Sequence, residues 1–334
     1  MSQLVDIKGL NIRFTGERTV YAVNDLSLSL GDGEVLGLLG ESGSGKSVTL
    51  RALMRLLPQK RTRISGQVKV LGRDVLALND EELSAFRGRT VSMIFQEPGL
   101  ALDPVYTIGR QIVETVMRHE GKSVAEAKAR ALEMLEIVRI PSAKRRFDAY
   151  PHEMSGGMRQ RAMIALALAC KPKILLADEP TTALDATVQI QVLILLRKLQ
   201  AEMGMSVILV THDLGVAAQI ADKIAVMYAG RIIEYGNARD VLLNPSHPYT
   251  IGLLSSTVHG QNRERDIEAI PGSPPDLRLR ASGCSFRPRC KFAVAACASE
   301  VPPPLAMPSG TTVCCLQARE VAAQAHASPL ATTP

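Results

Sequence analysis

"VLGLLGESGSGKS", residues 35–47, decides the fold of this chain. A short apolar run ends at Gly40, and "KSVTLRALMRLL" (46–57) follows with apolar residues at helical spacing. Continuous apolar runs of that length are the strands of a parallel sheet covered by helices on both faces. Between strand and helix, Gly40 to Ser47 fits G-x-x-x-x-G-K-[S/T]. Glycines there let successive backbone N–H groups curl around phosphate oxygens, and the helix presents its positive end to the same oxygens. The candidate phosphate-binding residues are therefore Gly40, Glu41, Ser42, Gly43, Ser44, Gly45, Lys46, Ser47 and Val48. Lys46 can reach the β- and γ-phosphates, and the Ser47 hydroxyl can ligate Mg²⁺.

Working outward, "VSMIFQ" (91–96), "KILLAD" (173–178) and "SVILVTH" (206–212) are further buried parallel strands by the same argument. "SVAEAKARALEMLEIVRI" (123–140) and "TVQIQVLILLRKLQAEM" (187–203) have helical periodicity. The early runs "LVDIKGLNIRF" and "NDLSLSL" look antiparallel. Alternating strands and helices predict an α/β fold. In "ILLADEP" the strand leaves Asp178 and Glu179 at its carboxyl end, where ligands of open α/β sheets bind. Asp178 would hold Mg²⁺ through water, and Glu179 would polarise a water for attack on the γ-phosphate.

Composition narrows the class. Hydrophobic residues at 46% and charged residues at 22% exclude disordered and fibrous chains. The net charge of +6 is spread along a sequence that has no Trp to stack on bases, so nucleic acid is not an expected partner. The start lacks a basic stretch followed by an apolar one, so no signal peptide is expected. "MIALALAC" is far shorter than the ~18 residues that span a bilayer. A soluble, cytoplasmic chain is expected, in which the six cysteines stay reduced. Beyond about residue 240, Pro and Gly become frequent and periodicity fades. The expected division is 1–245 for the nucleotide-binding domain, 246–320 for a C-terminal extension and 321–334 for a disordered tail.

"MSGGMRQR" (154–161), with its Ser155 placed 23 residues before Asp178 and just ahead of an apolar helix, completes a set. In that order the motifs resemble the ATPase subunit of an ATP-binding cassette (ABC) transporter, over residues 1 to about 245. The resemblance implies a P-loop ATPase with a mixed sheet and a helical subdomain bearing the signature loop. It implies that Ser155, Gly156 and Gly157 contact ATP held by the phosphate loop of a second ATPase subunit. The usual LSGGQ is here flanked by Met154 and Met158, so a Gln contact is missing. By the same resemblance Gln96 touches Mg²⁺ or water and senses a membrane partner, and Asp185 in "TTALDA" crosses the dimer interface. His212 in "VTHD" would contact the γ-phosphate with Glu179. Phe14 fits the position of the aromatic that stacks on adenine, with Tyr21 as a rival.

"NPSHPYTIGLLSS" and "IPGSPPDL", followed by "GCSFRPRCKFAVAAC" (283–297), resemble the extension of the dipeptide/oligopeptide importer subfamily. That resemblance implies an importer ATPase with a partner ATPase subunit, two permeases and an extracytoplasmic binding protein, on the cytoplasmic face of the cell membrane. Cargoes in the subfamily are di- and oligopeptides, with relatives handling nickel complexes, opines or sugars. A soluble cassette ATPase acting on nucleic acid is the rival class. Cys284, Cys290 and Cys297 lack the tight C-x₂₋₄-C pairs of zinc sites, and wide spacing suits an iron–sulfur cluster. The subfamily resemblance implies a [4Fe–4S] cluster with Cys315 as fourth ligand and Cys314 as an extra thiol. A loose tail with free thiols is the alternative. Cys170, inside "ALALAC", is expected to be a buried helix residue.

Overall fold

The computed structural model describes residues 3–182, 184–256 and 270–327. The chain falls into two compact units that interleave along the sequence.

One unit comprises residues 31–35 and 75–210. Its strands Val91–Ile94, Ile174–Asp178 and Ser206–Thr211 run parallel, Val91 opposite Ile174 and Ile174 opposite Ser206. Every residue of the last two strands is buried, which is why their sequences are unbroken apolar runs. Between the first and second strands lies a helical region. Ile108–Glu120 starts at the Thr107 cap, whose hydroxyl accepts from the Arg110 N–H, and stops at Gly121 in the left-handed region. Val124–Ile137 begins with a reciprocal capping box between Ser123 and Glu126 and buries Ala127, Ala131, Met134 and Leu135. Gly109 has no room for a side chain, because a Cβ there would lie 2.4 Å from the Phe147 ring. Gly156–Leu168 and Ala186–Met203 complete the region around the central strand.

The other unit comprises residues 3–30, 36–74 and 211 onward. Gln3–Phe14 pairs antiparallel with Thr62–Val70, Val5 opposite Val70 and Phe14 opposite Thr62, in a four-stranded sheet with Val20–Gly31 and Arg73–Asp74 at its edges. Val35–Leu39 runs parallel to Lys223–Tyr228, which pairs antiparallel with Arg231–Asn237. The helix after the phosphate loop is shorter than its periodicity predicts. It spans Lys46–Leu53 and ends where Arg55 takes a positive φ of 48°.

The extension is bound into this second unit. Thr312 and Val313 pair with Tyr235 and Glu234, so the chain end adds strands to the sheet of Lys223–Tyr228. Tyr228, Tyr249 and Phe286 pack ring on ring, with centroids 4.6, 5.2 and 5.5 Å apart. These rings close a core that a reading of apolar periodicity alone does not foresee. The helix Ala318–Ala327 runs into the segment expected to be a disordered tail, with Ala318 and Val321 buried. The rest of that expected tail, 328–334, lies outside the described residues.

Candidate functional site

The phosphate loop is built around two glycines that no other residue could replace. Gly40 (φ 150°) and Gly45 (φ 107°) lie where a Cβ would meet the Met227 carbonyl at 2.2 Å and the Ala22 carbonyl at 2.4 Å. Gly43 also has positive φ, at 79°, but faces open space. Gly45 caps the helix Lys46–Leu53 in the left-handed conformation with no side-chain hydrogen bond to the cap. Lys46 is buried, its Nζ donating to the carbonyls of Gly40 at 2.7 Å and Glu41 at 2.9 Å. Its ammonium therefore lies across the loop from inside, as a residue that must reach bound phosphates requires. Ser47 and Val48 are half-buried at the start of the helix, and Ser42 is exposed.

Two residues of the extension support this loop, and reading the sequence did not single out either. The Tyr249 hydroxyl accepts from the Glu41 N–H at 2.8 Å, and Arg289 grips the Glu41 carboxylate with two bonds of 2.8 and 3.0 Å. Burial pushes the Tyr249 phenol well above its ordinary value, keeping it neutral. The Glu41 carboxylate does the same for Arg289, which stays charged. Tyr249 is placed by its own surroundings. The N–H groups of Ser246 and His247 donate to the buried carboxylate of Glu234 at 2.7 and 3.1 Å, and the Tyr249 N–H donates to His247 Nδ1 at 3.0 Å. Burial lowers His247 to about 3, so it is a neutral acceptor. The "HPYT" motif of the sequence is therefore a strut beneath the phosphate loop.

The acidic pair belongs to the other unit. Asp178 is buried at the end of Ile174–Asp178, and Glu179 follows with its N–H donating to the Val210 carbonyl at 3.0 Å. Glu179 has φ +47°, a left-handed conformation that costs a non-glycine residue roughly 1–3 kcal/mol and clusters at reactive sites. Its Oε2 accepts from Gln96 Nε2 at 3.2 Å and from Thr182 Oγ1 at 2.9 Å. The structure thus brings Gln96 and Glu179 together. Gln160, buried in the signature helix, donates to the Pro180 carbonyl just beyond Glu179. Ser155 and Asp185 are exposed caps, accepting from the N–H groups of Met158 and Val188 at 3.3 and 3.0 Å. Gly157 packs on Val188, while Gly156 faces open space. His212 is exposed at the end of the strand Ser206–Thr211. Phe14 ends its strand half-buried opposite Thr62, whereas the Tyr21 N–H is taken by the Leu277 carbonyl of the extension at 2.9 Å.

Cys284, Cys290, Cys297 and Cys315 line one small cleft. The Cys284 N–H donates to the Cys297 carbonyl at 2.9 Å, joining two of the four. Burial raises the Cys284, Cys290 and Cys315 thiols, the last to about 12. Cys314 does not line the cleft; its N–H pairs with the Ile233 carbonyl at 2.8 Å. Among the described residues, no group of three or more His, Cys, Asp or Glu side chains is arranged to hold a metal ion. Cys170 is buried just past the signature helix, its thiol raised to about 11 by burial.

A glycine-rich phosphate turn with an inward lysine, and a strand ending in two acids beside a glutamine, define a P-loop nucleotide hydrolase. The chain belongs to the ABC transporter family: the ABC transporter domain matches residues 23–182, and the oligopeptide/dipeptide transporter C-terminal region matches residues 233–297. It is 48% identical to the oligopeptide transport ATP-binding protein OppD of Salmonella typhimurium, over 94% of this chain and 93% of that one. OppD of Escherichia coli is 50% identical over 90% of this chain and 89% of its own. A putative peptide import ATP-binding protein of Brucella melitensis is 48% identical over 96% and 98%. A solved dimeric ATP-binding cassette in a post-hydrolysis state, bound to ADP and Pi, superposes with TM-score 0.63 at 32% identity, covering 70% of this chain and 99% of that one. The chain is an ATPase of the cassette type. None of its described helices is long and apolar enough to cross a membrane.

Proposed function

We propose that this chain is the ATP-hydrolysing subunit of a peptide importer, acting at the cytoplasmic face of the membrane with a second cassette subunit, two permeases and an extracytoplasmic binding protein. The single observation that carries the cargo class is the C-terminal region matched over residues 233–297, whose Tyr249 and Arg289 are built against Glu41 of the phosphate loop. The names of the OppD relatives support the same class.

In this reading the N–H groups of residues 40–48 and the Lys46 ammonium receive the phosphates of ATP, and Phe14 receives adenine. Ser47, Gln96 and Asp178 are the oxygen donors that would hold Mg²⁺, a set suited to a hard cation. Bound there, Mg²⁺ neutralises charge on the phosphates. Glu179 accepts a proton from the attacking water, held in orientation by Gln96 and Thr182, with His212 opposite the γ-phosphate. Ser155, Gly156, Gly157 and Asp185 serve the partner subunit's nucleotide, a role supported by the exposure of Ser155, Gly156 and Asp185.

Residues 1–245 form the ATPase domain and 246–320 the extension in this reading. Cys284, Cys290, Cys297 and Cys315 would take a [4Fe–4S] cluster by drawing together from an arrangement that does not itself hold a metal, a reading supported by their shared cleft and by the exclusion of Cys314 from it. The test of the cargo is the complex reconstituted in vesicles with its permeases and binding protein. Stimulation of ATP turnover by di- or oligopeptides supports the proposal. Stimulation by a nickel complex, an opine or a sugar instead transfers the chain to another branch of the subfamily. Stimulation by nucleic acid without the permeases would overturn it.

A further inference from the structure

We propose that Arg289 is a positioning residue for the phosphate loop, one that ties nucleotide affinity to the cysteine-bearing segment. The inference rests on the reading of residues 40–47 as that loop. Glu41 is held at three points. Arg289 forks onto its carboxylate, Nη1 to Oε2 at 2.8 Å and Nη2 to Oε1 at 3.0 Å. Its N–H donates to the Tyr249 hydroxyl at 2.8 Å, and its carbonyl accepts from Lys46 at 2.9 Å. The first two anchors come from the extension, 248 and 208 residues away along the chain.

Arg289 is itself locked. Its Nε donates to the Pro271 carbonyl at 2.8 Å, and its guanidinium lies 5.9 Å from the Tyr228 and Phe286 ring centres. Its side chain is only 5% exposed. A guanidinium fixed by backbone and rings holds a carboxylate in one orientation, where a lysine would act as a point charge. Arg289 is also the residue next to Cys290, which lines the cysteine cleft. Movement of that segment is therefore passed directly to Glu41.

Two consequences follow for a polyphosphate. A loop already held in its binding shape loses less freedom on binding. A carboxylate in a phosphate-binding turn repels the incoming anion, and Arg289 neutralises it. Removing Arg289 alone leaves that carboxylate uncompensated, so the double variant with Glu41 also neutral should bind better than the single one.

The experiment uses the full chain, with nucleotide affinity from a fluorescent ATP analogue and steady-state turnover with MgATP. Arg289→Met is expected to raise KM by ~10-fold with kcat within ~2-fold, a split that general loss of structure does not produce. Arg289→Lys keeps the charge but loses the fork, so it should weaken affinity by ~3-fold, between wild type and Arg289→Met, and Glu41→Gln combined with Arg289→Met should bind more tightly than Arg289→Met. Wild-type affinity in Arg289→Met, or a double variant no better than the single, would overturn the proposal. Should Arg289→Met not fold, Arg289→Lys and Glu41→Gln carry the test, and wild-type affinity in both overturns it. Lys46→Ala runs alongside: if it binds nucleotide normally, the loop reading itself fails and the inference with it.

Discussion

Gln96 donates to Glu179 at 3.2 Å, and the oxygen that receives it also accepts from Thr182 at 2.9 Å. These two donors fix the orientation of the carboxylate at the end of its strand. Glu179→Gln should therefore keep ATP binding and lose hydrolysis by ~10²–10⁴-fold, accumulating a nucleotide-bound dimer. Single-turnover ATPase with size-exclusion chromatography reads both effects. Hydrolysis at the wild-type rate would remove Glu179 from the mechanism.

Lys46 lies inside the loop against the carbonyls of Gly40 and Glu41. Lys46→Ala removes the charge meant for the β- and γ-phosphates, so equilibrium binding of MgATP should weaken by ~100-fold or more while the fold persists. Circular dichroism alongside a binding titration separates the two.

Gly45→Ala would drive a Cβ to 2.4 Å from the Ala22 carbonyl at a residue with φ 107°. Backbone cannot yield as a flexible side chain does, so a loss of ~2–4 kcal/mol in stability is expected together with loss of nucleotide binding. Gly43→Ala meets no atom and carries only the cost of positive φ, ~1 kcal/mol. Equal melting temperatures for the two variants would contradict the crowding argument.

Glu234 is buried, and desolvation raises its carboxyl to about 7, against the bonds from Ser246 and His247 that pull it down. A carboxyl raised in the folded state contributes stability that is complete below its unfolded value of about 4.5 and is lost as pH rises through about 7. Denaturation of the wild type should show a loss of about 3 kcal/mol across that window, absent in Glu234→Gln. A flat wild-type profile would show that the carboxyl is not raised.

Anaerobically purified protein should contain iron and acid-labile sulfide in near-equal amounts. Cys290→Ser and Cys315→Ser should lose both, while Cys314→Ser keeps them, because Cys314 alone among the five cysteines of the extension lies outside the cleft. Zinc in place of iron would retain a metal module and discard the cluster. Retention of iron in Cys315→Ser with its loss in Cys314→Ser would exchange the two residues.

Much of the fold and site was legible because its determinants are local. The strand Val35–Leu39, the turn at Gly40–Ser47 and the helix from Lys46 are encoded within a dozen consecutive residues. Asp178 and Glu179 were legible for the same reason, an apolar strand ending in two acids. Gln160 was not. It lies between Arg159 and Arg161 in the same helix, and only packing aims it, rather than either neighbour, at Pro180. Nor could the spacing of Cys314 and Cys315 separate them; the pairing of Thr312 and Val313 with Tyr235 and Glu234 sets which thiol enters the cleft.

By itself, the sequence determined a glycine-rich turn between strand and helix, buried parallel strands, the helix that follows Ser155 and a cysteine-bearing extension. Backbone propensity and apolar patterning act over short stretches, so these survive without knowledge of any distant contact. Only the tertiary structure decided that Tyr249 and Arg289 brace Glu41, across 208 and 248 residues of chain. Such contacts depend on which buried rings and strands pack together, here Tyr228, Tyr249 and Phe286, and no local pattern encodes that choice.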